Sequence, residues 1–278
     1  MGGAVVIDDI GKIVNPVGVV RESGDYDKDG LLYCGMCHTA KQVVIPFGGK
    51  QNIMPCMCKC AEERYNAERQ SVADRELSYL IGRYKAEAFP NPEMLRWTFD
   101  NDDSGNPELS RLCRNYAKKF RSDSKWLLLY GNTGVGKTYM AAAIANAVMD
   151  NGFSAKFTTV SQFERRLWNT QSKRELYAEY TECGLLVIDD MGAERNSEYM
   201  NEILFNLIDE RLKRQKPVVI TTNLPQEFIA NPEGVSMQRI MSRIYERSVI
   251  YLCKGGDRRR QSMKENNRKA VEDLLSDD

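Results

Sequence analysis

Residues 126–138, WLLLYGNTGVGKT, decide the fold class of this 278-residue chain. Trp126–Tyr130 is an uninterrupted apolar run, which is typical of a strand buried on both faces of a sheet. Gly131–Thr138 then satisfies the pattern G-x-x-x-x-G-K-[ST], and the Ala-rich run Ala141–Met149 predicts a helix after it. A buried strand, a Gly-rich turn and a helix in this order predict a loop that binds phosphate groups at the helix N-terminus.

The residue types of this loop suit a nucleoside triphosphate. Its glycines let backbone N–H groups turn toward the phosphates without a Cβ in the way. We expect Lys137 to reach the β- and γ-phosphates of ATP and the Thr138 hydroxyl to bind Mg²⁺. The predicted nucleotide contacts of the loop are Gly131, Asn132, Thr133, Gly134, Val135, Gly136, Lys137 and Thr138.

Two further segments carry polar side chains where predicted strands end, which is where α/β sheets bind ligands. LLVIDD at 185–190 ends in two acids. We expect Asp189 to hold Mg²⁺, directly or through water, and Asp190 to orient or deprotonate the attacking water. VVITTNLP at 218–225 places Asn223 beside the γ-phosphate, where its amide would sense or position that water. Read alone, each segment is also compatible with an ordinary strand that ends in a turn.

Apolar runs alternate with helical patterns on both sides of the loop. This alternation predicts an α/β domain whose parallel five-stranded sheet is covered on both faces. The predicted strands span residues 126–130, 155–160, 185–188, 218–222 and 248–252. Residues 61–88 also have helical periodicity, and Pro90 and Pro92 end that run.

Five of the eight cysteines lie between residues 31 and 60. A C-x-x-C pair and, nineteen residues later, a C-x-C-x-C group have the spacing of ligands that converge on one zinc ion. Such a small module has little core of its own, so metal binding would stabilise it. A redox role for the thiols is the alternative. The favoured ligands are Cys34, Cys37, Cys56 and Cys58, with Cys60 as the first substitute and His38 as a weaker one.

The charge balance is neutral overall but uneven along the chain. Lys plus Arg and Asp plus Glu each number 39, while residues 111–125 and 239–264 are strongly basic. Basic stretches are usually solvated faces, but a phosphate backbone would require the same residues. Candidates for DNA contacts are Lys118, Lys119, Arg121, Arg165 and Arg166, with Phe163 and Trp168 as stacking partners or core residues. No run approaches the ~18 apolar residues of a membrane span, and no secretory signal is evident, so we expect a cytoplasmic protein.

Four stretches, GNTGVGKT, LLVIDDMGAE, VVITTNL and SRIYERSVIYL, resemble the DnaC/IstB-like branch of AAA+ ATPases. This branch contains bacterial and phage helicase loaders and their transposition-helper relatives, and the resemblance covers residues 95–256. It implies ATP sites shared between subunits, with Arg247 as the arginine finger and Arg243 as its companion, or the reverse. Without the resemblance, both would be ordinary solvated arginines. Many relatives have Glu where this chain has Asp190, and the shorter side chain leads us to expect slow turnover.

The resemblance also implies a function and a domain plan. YCGMCHTAKQ and MPCMCKC look like the cysteine-rich domain of many phage loaders. The implied function is an ATP-dependent helicase loader that assembles as a homo-oligomeric ring or spiral, binds single-stranded DNA and delivers a ring-shaped replicative helicase. The alternatives are a transposition-helper ATPase and a DNA-binding protein that uses ATP only as a switch. The expected parts are a flexible tail at 1–30, a zinc-binding module at 31–60, a linker helix at 61–94, the AAA+ domain at 95–256 and a charged tail at 257–278.

Overall fold

The computed structural model describes residues 19–47, 49–103, 105–192 and 198–257, with a few positions beyond them. The chain divides into two compact units, Met1–Leu77 and Ser78–Asp278. None of the described helices has the length and apolar composition that a bilayer-spanning segment needs. Most of the two predicted tails, at 1–30 and 257–278, falls outside the described residues.

The first unit contains two antiparallel hairpins followed by the first part of a long helix, which continues into the second unit. Strand β1 pairs with β2, and β3 pairs with β4. The long helix α1 starts within the second cysteine group, between Cys58 and Cys60. The bounds are β1 Tyr26–Lys28, β2 Leu31–Tyr33, β3 Gln42–Phe47, β4 Lys50–Pro55 and α1 Lys59–Ala88.

The folded part of this unit begins before residue 31, which corrects the predicted tail boundary. Asp25 Oδ2 pairs with Lys41 Nζ at 2.5 Å, and its Oδ1 accepts a hydrogen bond from Gly35 N at 2.9 Å. These bonds lower the pKa of Asp25 to about 2. The Asp25 carboxylate therefore connects the segment before β1 to the first cysteine turn and to the segment before β3.

The second unit is built on a parallel five-stranded sheet with the order β6-β7-β8-β5-β9, which confirms the predicted architecture. Its strands are β5 Trp126–Tyr130, β6 Ala155–Thr159, β7 Leu185–Met191, β8 Val218–Thr222 and β9 Ser248–Leu252. A short 3₁₀ helix, Pro92–Arg96, precedes them. The helices are α2 Pro107–Lys118, α3 Lys137–Asp150, α4 Val160–Asn169, α5 Lys173–Glu182, α6 Glu198–Lys213, α7 Gln226–Ala230 and α8 Val235–Arg247.

Helices cover both faces of this sheet, so the central strands β7, β5 and β8 are apolar except toward their carboxyl ends. Successive residues of a strand point to opposite faces. Leu127 and Leu129 pack with α2 and α3 on one face, whereas Trp126 and Leu128 pack with α4, α5, α6 and α8 on the other. The residues of β5 and β8 are all buried. Only the strand ends leave room for polar side chains that face a ligand.

The buried Arg211 side chain stabilises the end of the sheet at which β7 and β8 begin. The Arg211 side chain on α6 is fully buried and donates to the carbonyl oxygens of Cys183, at 2.6 Å, and of Thr181, at 3.2 Å. It also donates to the carbonyl oxygen of Pro217. These acceptors lie at the end of α5 and immediately before β7 and β8. Burial lowers the pKa of the guanidinium, and the carbonyl dipoles at the helix C-terminus compensate.

Arg211→Met should lower the free energy of unfolding by about 2–4 kcal/mol, because several buried carbonyls would lose their donor. Chemical denaturation followed by circular dichroism measures this quantity. Arg214→Met is the matched control, since Arg214 makes only exposed ion pairs with Glu182 and Glu210 among the described residues. We expect the control to change stability by less than about 1 kcal/mol. Equal losses in the two variants would contradict this role for Arg211.

Candidate functional site

The phosphate loop joins β5 to α3 and needs its glycines for two reasons. Gly131, Gly134 and Gly136 have φ angles of 137°, 83° and 100°, a region that side chains with a Cβ rarely adopt. A Cβ at Gly131 would also lie 2.5 Å from the carbonyl oxygen of Cys253. Gly136 is the residue before α3, so the unpaired N–H groups of the helix face the loop.

Lys137 is held inside the loop. Its side chain is only 5% exposed. The ammonium donates to the carbonyl oxygens of Gly131 and Asn132, both at 2.8 Å, and to Oδ1 of Asn223 at 2.7 Å. Phosphate oxygens can replace neutral acceptors of this kind at little cost, since a charged acceptor binds the ammonium more strongly. The Lys137 ammonium therefore lies inside the loop and beside Asn223.

The two acids at the end of β7 are in different environments. Asp189 is buried, and burial raises its pKa, although its hydrogen bond from Thr221 lowers it. Thr221 Oγ1 donates to Asp189 Oδ1 at 2.6 Å. Asp190 has a φ of 51°, and its Oδ1 accepts a hydrogen bond from Asn223 Nδ2 at 3.0 Å. Asn223 thus contacts both Lys137 and Asp190 and joins the phosphate loop to the second acid.

Lys137, Asp190 and Asn223 line one cavity of about 330 Å³, together with two aromatic rings. These rings, of Trp97 and Tyr139, stack with centroids 5.8 Å apart. The Tyr139 hydroxyl donates to the carbonyl oxygen of Thr98 at 2.9 Å, which fixes this segment against α3. The sequence analysis identified neither ring as part of the site. The lining residues are Trp97, Asp103, Thr133, Gly134, Gly136, Lys137, Thr138, Tyr139, Asp190 and Asn223.

The two predicted finger arginines are not among the described residues that line this cavity. Both lie on α8. Arg243 Nε forms an ion pair with Asp209 Oδ1 at 3.1 Å. Arg247 donates to the carbonyl oxygen of Asp123 at 3.1 Å. The structure therefore does not bring either arginine to the nucleotide cavity of its own chain.

Four of the five N-terminal cysteines form a cluster whose sulfur atoms all lie within 4.8 Å of one another. Cys60 Sγ is 3.5 Å from Cys34 Sγ and 3.5 Å from Cys58 Sγ. A tetrahedral site with Zn–S bonds of ~2.3 Å places its sulfurs about 3.8 Å apart. The cluster therefore fits a structural zinc ion, and its members are Cys34, Cys37, Cys58 and Cys60.

The preference for Cys56 as the third ligand is corrected by this geometry. Cys56 N donates to the carbonyl oxygen of Lys41 at 2.9 Å, which extends the β3–β4 pairing, and its side chain is exposed. Helix α1 starts at Lys59, so Cys60 lies in its first turn and reaches Cys34. The sequence pattern alone did not show that the helix starts within the C-x-C-x-C group. His38, the weaker substitute, packs its ring 5.8 Å from that of Tyr26.

Thr39 is a residue of this cluster that the sequence analysis missed. Its hydroxyl accepts a hydrogen bond from Lys59 N at 2.9 Å and lies 3.0 Å from Cys37 Sγ. Because the oxygen already accepts, its hydrogen can point to the sulfur. This bond is the main reason why the pKa of Cys37 falls to about 5. Hydrogen bonding with Cys58, the largest cause, raises the pKa of Cys60 to about 12. A cation at the centre would favour thiolates at all four positions.

The predicted DNA-contact residues have different environments. Phe163 is fully buried and is a core residue. Trp168 is 66% exposed, and Lys173 Nζ lies 5.8 Å from its ring centroid. Arg166 pairs with Glu179 at 3.0 Å. Of the remaining basic residues, Lys118, Lys119 and Arg121 are exposed at the end of α2, and Arg165 lines a separate cavity of about 560 Å³.

Comparisons with known proteins give a consistent set of relatives. Residues 88–265 match the family described as IstB-like ATP binding protein. The replicative helicase loader DnaI of Bacillus subtilis is 28% identical over 175 residues, which is 58% of this chain and 56% of the loader. The chain thus spans little more than half of that relative's length.

Two other similarities extend this picture. A putative ATP-binding protein in an insertion sequence of Mycobacterium tuberculosis is 27% identical over 192 residues, covering 66% of this chain and 75% of that protein. The crystal structure of DnaI matches with a TM-score of 0.54 at 26% identity, over 63% of this chain and 99% of that structure. Both matches leave part of this chain uncovered.

Cys60→Ser should remove zinc from the purified full-length chain, because it deletes one of four converging sulfurs. Elemental analysis after dialysis should give about one zinc per chain for the parent and much less for this variant. Cys56→Ser is the matched control and should keep the parental zinc content. Retention of zinc by the Cys60 variant together with its loss from the Cys56 variant would reverse the ligand assignment.

Proposed function

Because the chain belongs to the IstB-like ATP binding protein family, we propose that it is an ATP-hydrolysing helicase loader of DNA replication. It binds single-stranded DNA as a homo-oligomer and delivers a ring-shaped replicative helicase. The observation that carries this proposal is the convergence of Lys137, Asp190 and Asn223 on one cavity beside the phosphate loop. The similarity to a named replicative helicase loader supports the choice of process.

The residues in and beside the cavity have separate tasks in ATP hydrolysis. Lys137 and the N-terminus of α3 bind the phosphate oxygens. Thr138 and Asp189 would hold Mg²⁺, which neutralises charge on the phosphates when bound. Asp190 orients the attacking water or takes its proton. Asn223 contacts Asp190 and Lys137 at 3.0 and 2.7 Å, so it aligns that acid with the γ-phosphate end of the cavity.

The finger arginine acts on the site of a neighbouring subunit in this proposal. Arg243 already has Asp209 as a partner, with both groups on the same chain. No carboxylate partner of Arg247 appears among the described residues, and its contact is a backbone carbonyl. A cation that keeps its charge available suits the stabilisation of γ-phosphate oxygens in the transition state. Arg247 is therefore the finger and Arg243 its companion.

In this proposal, single-stranded DNA binds along α4 and the start of α5. Trp168 exposes 66% of its surface, beside the Lys173 ammonium and 5.9 Å from the Tyr199 ring centroid. Bases stack on exposed aromatic rings, and neighbouring cations attract the backbone. Arg165 lies on the same helix and adds positive charge.

The helicase is assigned to the cysteine-rich unit, whose second hairpin exposes apolar side chains. Val43, Ile45 and Phe47 lie on one face of β3 and are 41%, 45% and 80% exposed, which is typical of a protein-binding surface. The unit lies outside the residues that match the family. A module of this kind favours a loader, which must hold a protein cargo.

A transposition-helper ATPase is the second candidate, because one relative belongs to an insertion sequence. It would use the same nucleotide site but act on duplex DNA with a transposase. Selective retention of a replicative helicase by the immobilised chain supports the loader, and retention of a transposase supports the helper. A chain that binds ATP without hydrolysing it would be a switch instead.

Arg247→Ala should bind ATP nearly normally yet lose DNA-stimulated hydrolysis by roughly 10³-fold, because a finger acts mainly in the transition state. Lys137→Ala should lose hydrolysis and most nucleotide binding. Mixing the two variants creates interfaces with one intact phosphate loop and one intact finger. Phosphate release from such mixtures should recover part of the parental rate.

Arg243→Ala is the control, because it removes a neighbouring cation. Light scattering checks that the Arg247→Ala and Lys137→Ala variants assemble together. We expect a smaller loss of hydrolysis from the Arg243 change. If co-assembled mixtures recover no activity, Arg247 acts within its own chain or only supports the fold.

Trp168→Ala should weaken binding of single-stranded oligothymidine about 10-fold, because one stacked base contributes ~1–3 kcal/mol. Fluorescence anisotropy of a labelled oligonucleotide measures the affinity. Trp168→Phe keeps an aromatic ring and should retain most of the binding. Parental affinity in the Ala variant would exclude this surface as the stacking site.

A further inference from the structure

Thr221 is a buried polar residue of the site to which the steps of ATP hydrolysis above assign no role. It lies on β8, its side chain is fully buried, and it is not among the residues that line the nucleotide cavity. Its hydroxyl nevertheless contacts both acids of β7. The oxygen accepts a hydrogen bond from Asp190 N at 2.9 Å, and the hydroxyl donates to Asp189 Oδ1 at 2.6 Å.

The two bonds of Thr221 reinforce one another. A hydroxyl has a single hydrogen, and the amide of Asp190 fixes the oxygen as acceptor, so the hydrogen points to Asp189. A 2.6 Å bond to a carboxylate is short and charge-assisted. A buried carboxylate needs such donors to remain charged. With Oδ1 engaged in this way, the carboxylate plane of Asp189 is held in one orientation.

The same hydroxyl supports the backbone conformation of Asp190. This residue has a φ of 51°, which costs free energy for a residue with a Cβ. The pairing of β7 with β8 is irregular between Ile188 and Met191, so the amide of Asp190 finds its acceptor in a side chain. The Thr221 hydroxyl thus fixes both the side chain of Asp189 and the backbone conformation of Asp190.

Thr222 provides a contrast at the next position. It is also fully buried, but its hydroxyl donates to the carbonyl oxygen of Met191 at 2.6 Å and accepts from Leu224 N at 3.1 Å. Both partners are backbone groups. The two threonines are therefore equally buried and adjacent at the end of β8. The Thr221 hydroxyl contacts a carboxylate, whereas the Thr222 hydroxyl contacts backbone groups.

We propose that Thr221 is a positioning residue that holds Asp189 in the single orientation with which it binds the Mg²⁺ of Mg–ATP. This inference rests on the proposed nucleotide site and concerns metal coupling, so hydrolysis is not needed to test it. The chain's affinity for ATP without metal comes from the phosphate loop, which Thr221 does not contact among the described residues. Loss of its hydroxyl should affect the metal and leave that affinity in place.

The test is a fluorescence titration of a labelled ATP analogue against the full chain, in EDTA and over a series of Mg²⁺ concentrations. Thr221→Val keeps the size of the side chain and removes the hydroxyl. It should raise the Mg²⁺ concentration for half-maximal binding roughly 10-fold, as expected when a charged group loses a hydrogen bond. Binding in EDTA should stay within about twofold of the parent.

Two variants complete the design, each checked for folding by its thermal unfolding midpoint. Thr222→Val loses an equally buried hydroxyl and should keep the parental Mg²⁺ requirement. Thr221→Ser keeps the hydroxyl and should do the same. Equal Mg²⁺ requirements in the Thr221→Val and Thr222→Val variants would overturn the proposal.

Misfolding of a variant and failure of the proposed ATPase function can each be distinguished from failure of this proposal. If Thr221→Val does not fold, Thr221→Ala and Thr222→Ala are compared in the same way, and the same difference is required. A parent chain that binds Mg–ATP but never hydrolyses it removes the proposed ATPase function, while the titration still decides the role of Thr221. A parent chain that binds no nucleotide overturns both.

Discussion

The position of β8 between β5 and β7 is the constraint on which the nucleotide site depends. Parallel pairing on both sides of β8 brings the ends of three strands to one edge of the sheet. Lys137 and Asn223 are 86 residues apart in sequence, yet their side chains are 2.7 Å apart. A shift of one residue in the β5–β8 register would turn Asn223 away from the loop. Thus the apolar pairing deep in the sheet determines the polar geometry at its edge.

Sequence alone predicted the sheet and proposed residues for the nucleotide site, because burial leaves a strong pattern. Strands covered on both faces are apolar along most of their length, so β5, β7 and β8 stand out, and the acids and the amide at the carboxyl ends of β7 and β8 mark the candidate ligand-facing edge. Sequence did not predict α5, Lys173–Glu182, whose buried residues are few and separated by charged ones. It also gave no role to Thr221 or Tyr139, because their contacts are made to residues distant in the chain.

The cysteine-rich unit shows a different limit of sequence reasoning. Spacing predicted a metal cluster but selected Cys56 where the structure has Cys60, because ligand choice depends on where α1 begins. Among the described residues of this unit, the buried apolar side chains are those of Leu32, Cys34 and Cys58. So small a core leaves the folding of the unit dependent on other bonds, such as the pair of Lys41 with Asp25 and the convergence of the four sulfurs.

The absence of a side chain at Gly131 has a mechanical consequence. The loop packs there directly on the backbone at Cys253, and Cys253 N donates to the carbonyl oxygen of Tyr130 at 2.7 Å. No flexible side chain lies between the two backbones to absorb a displacement, so the loop and the end of β9 must move together. Strand β9 follows α8, which carries Arg243 and Arg247. In the proposed oligomer this link would be reciprocal. If nucleotide in the loop changes the affinity of α8 for a neighbouring subunit by some factor, that subunit changes nucleotide affinity by the same factor.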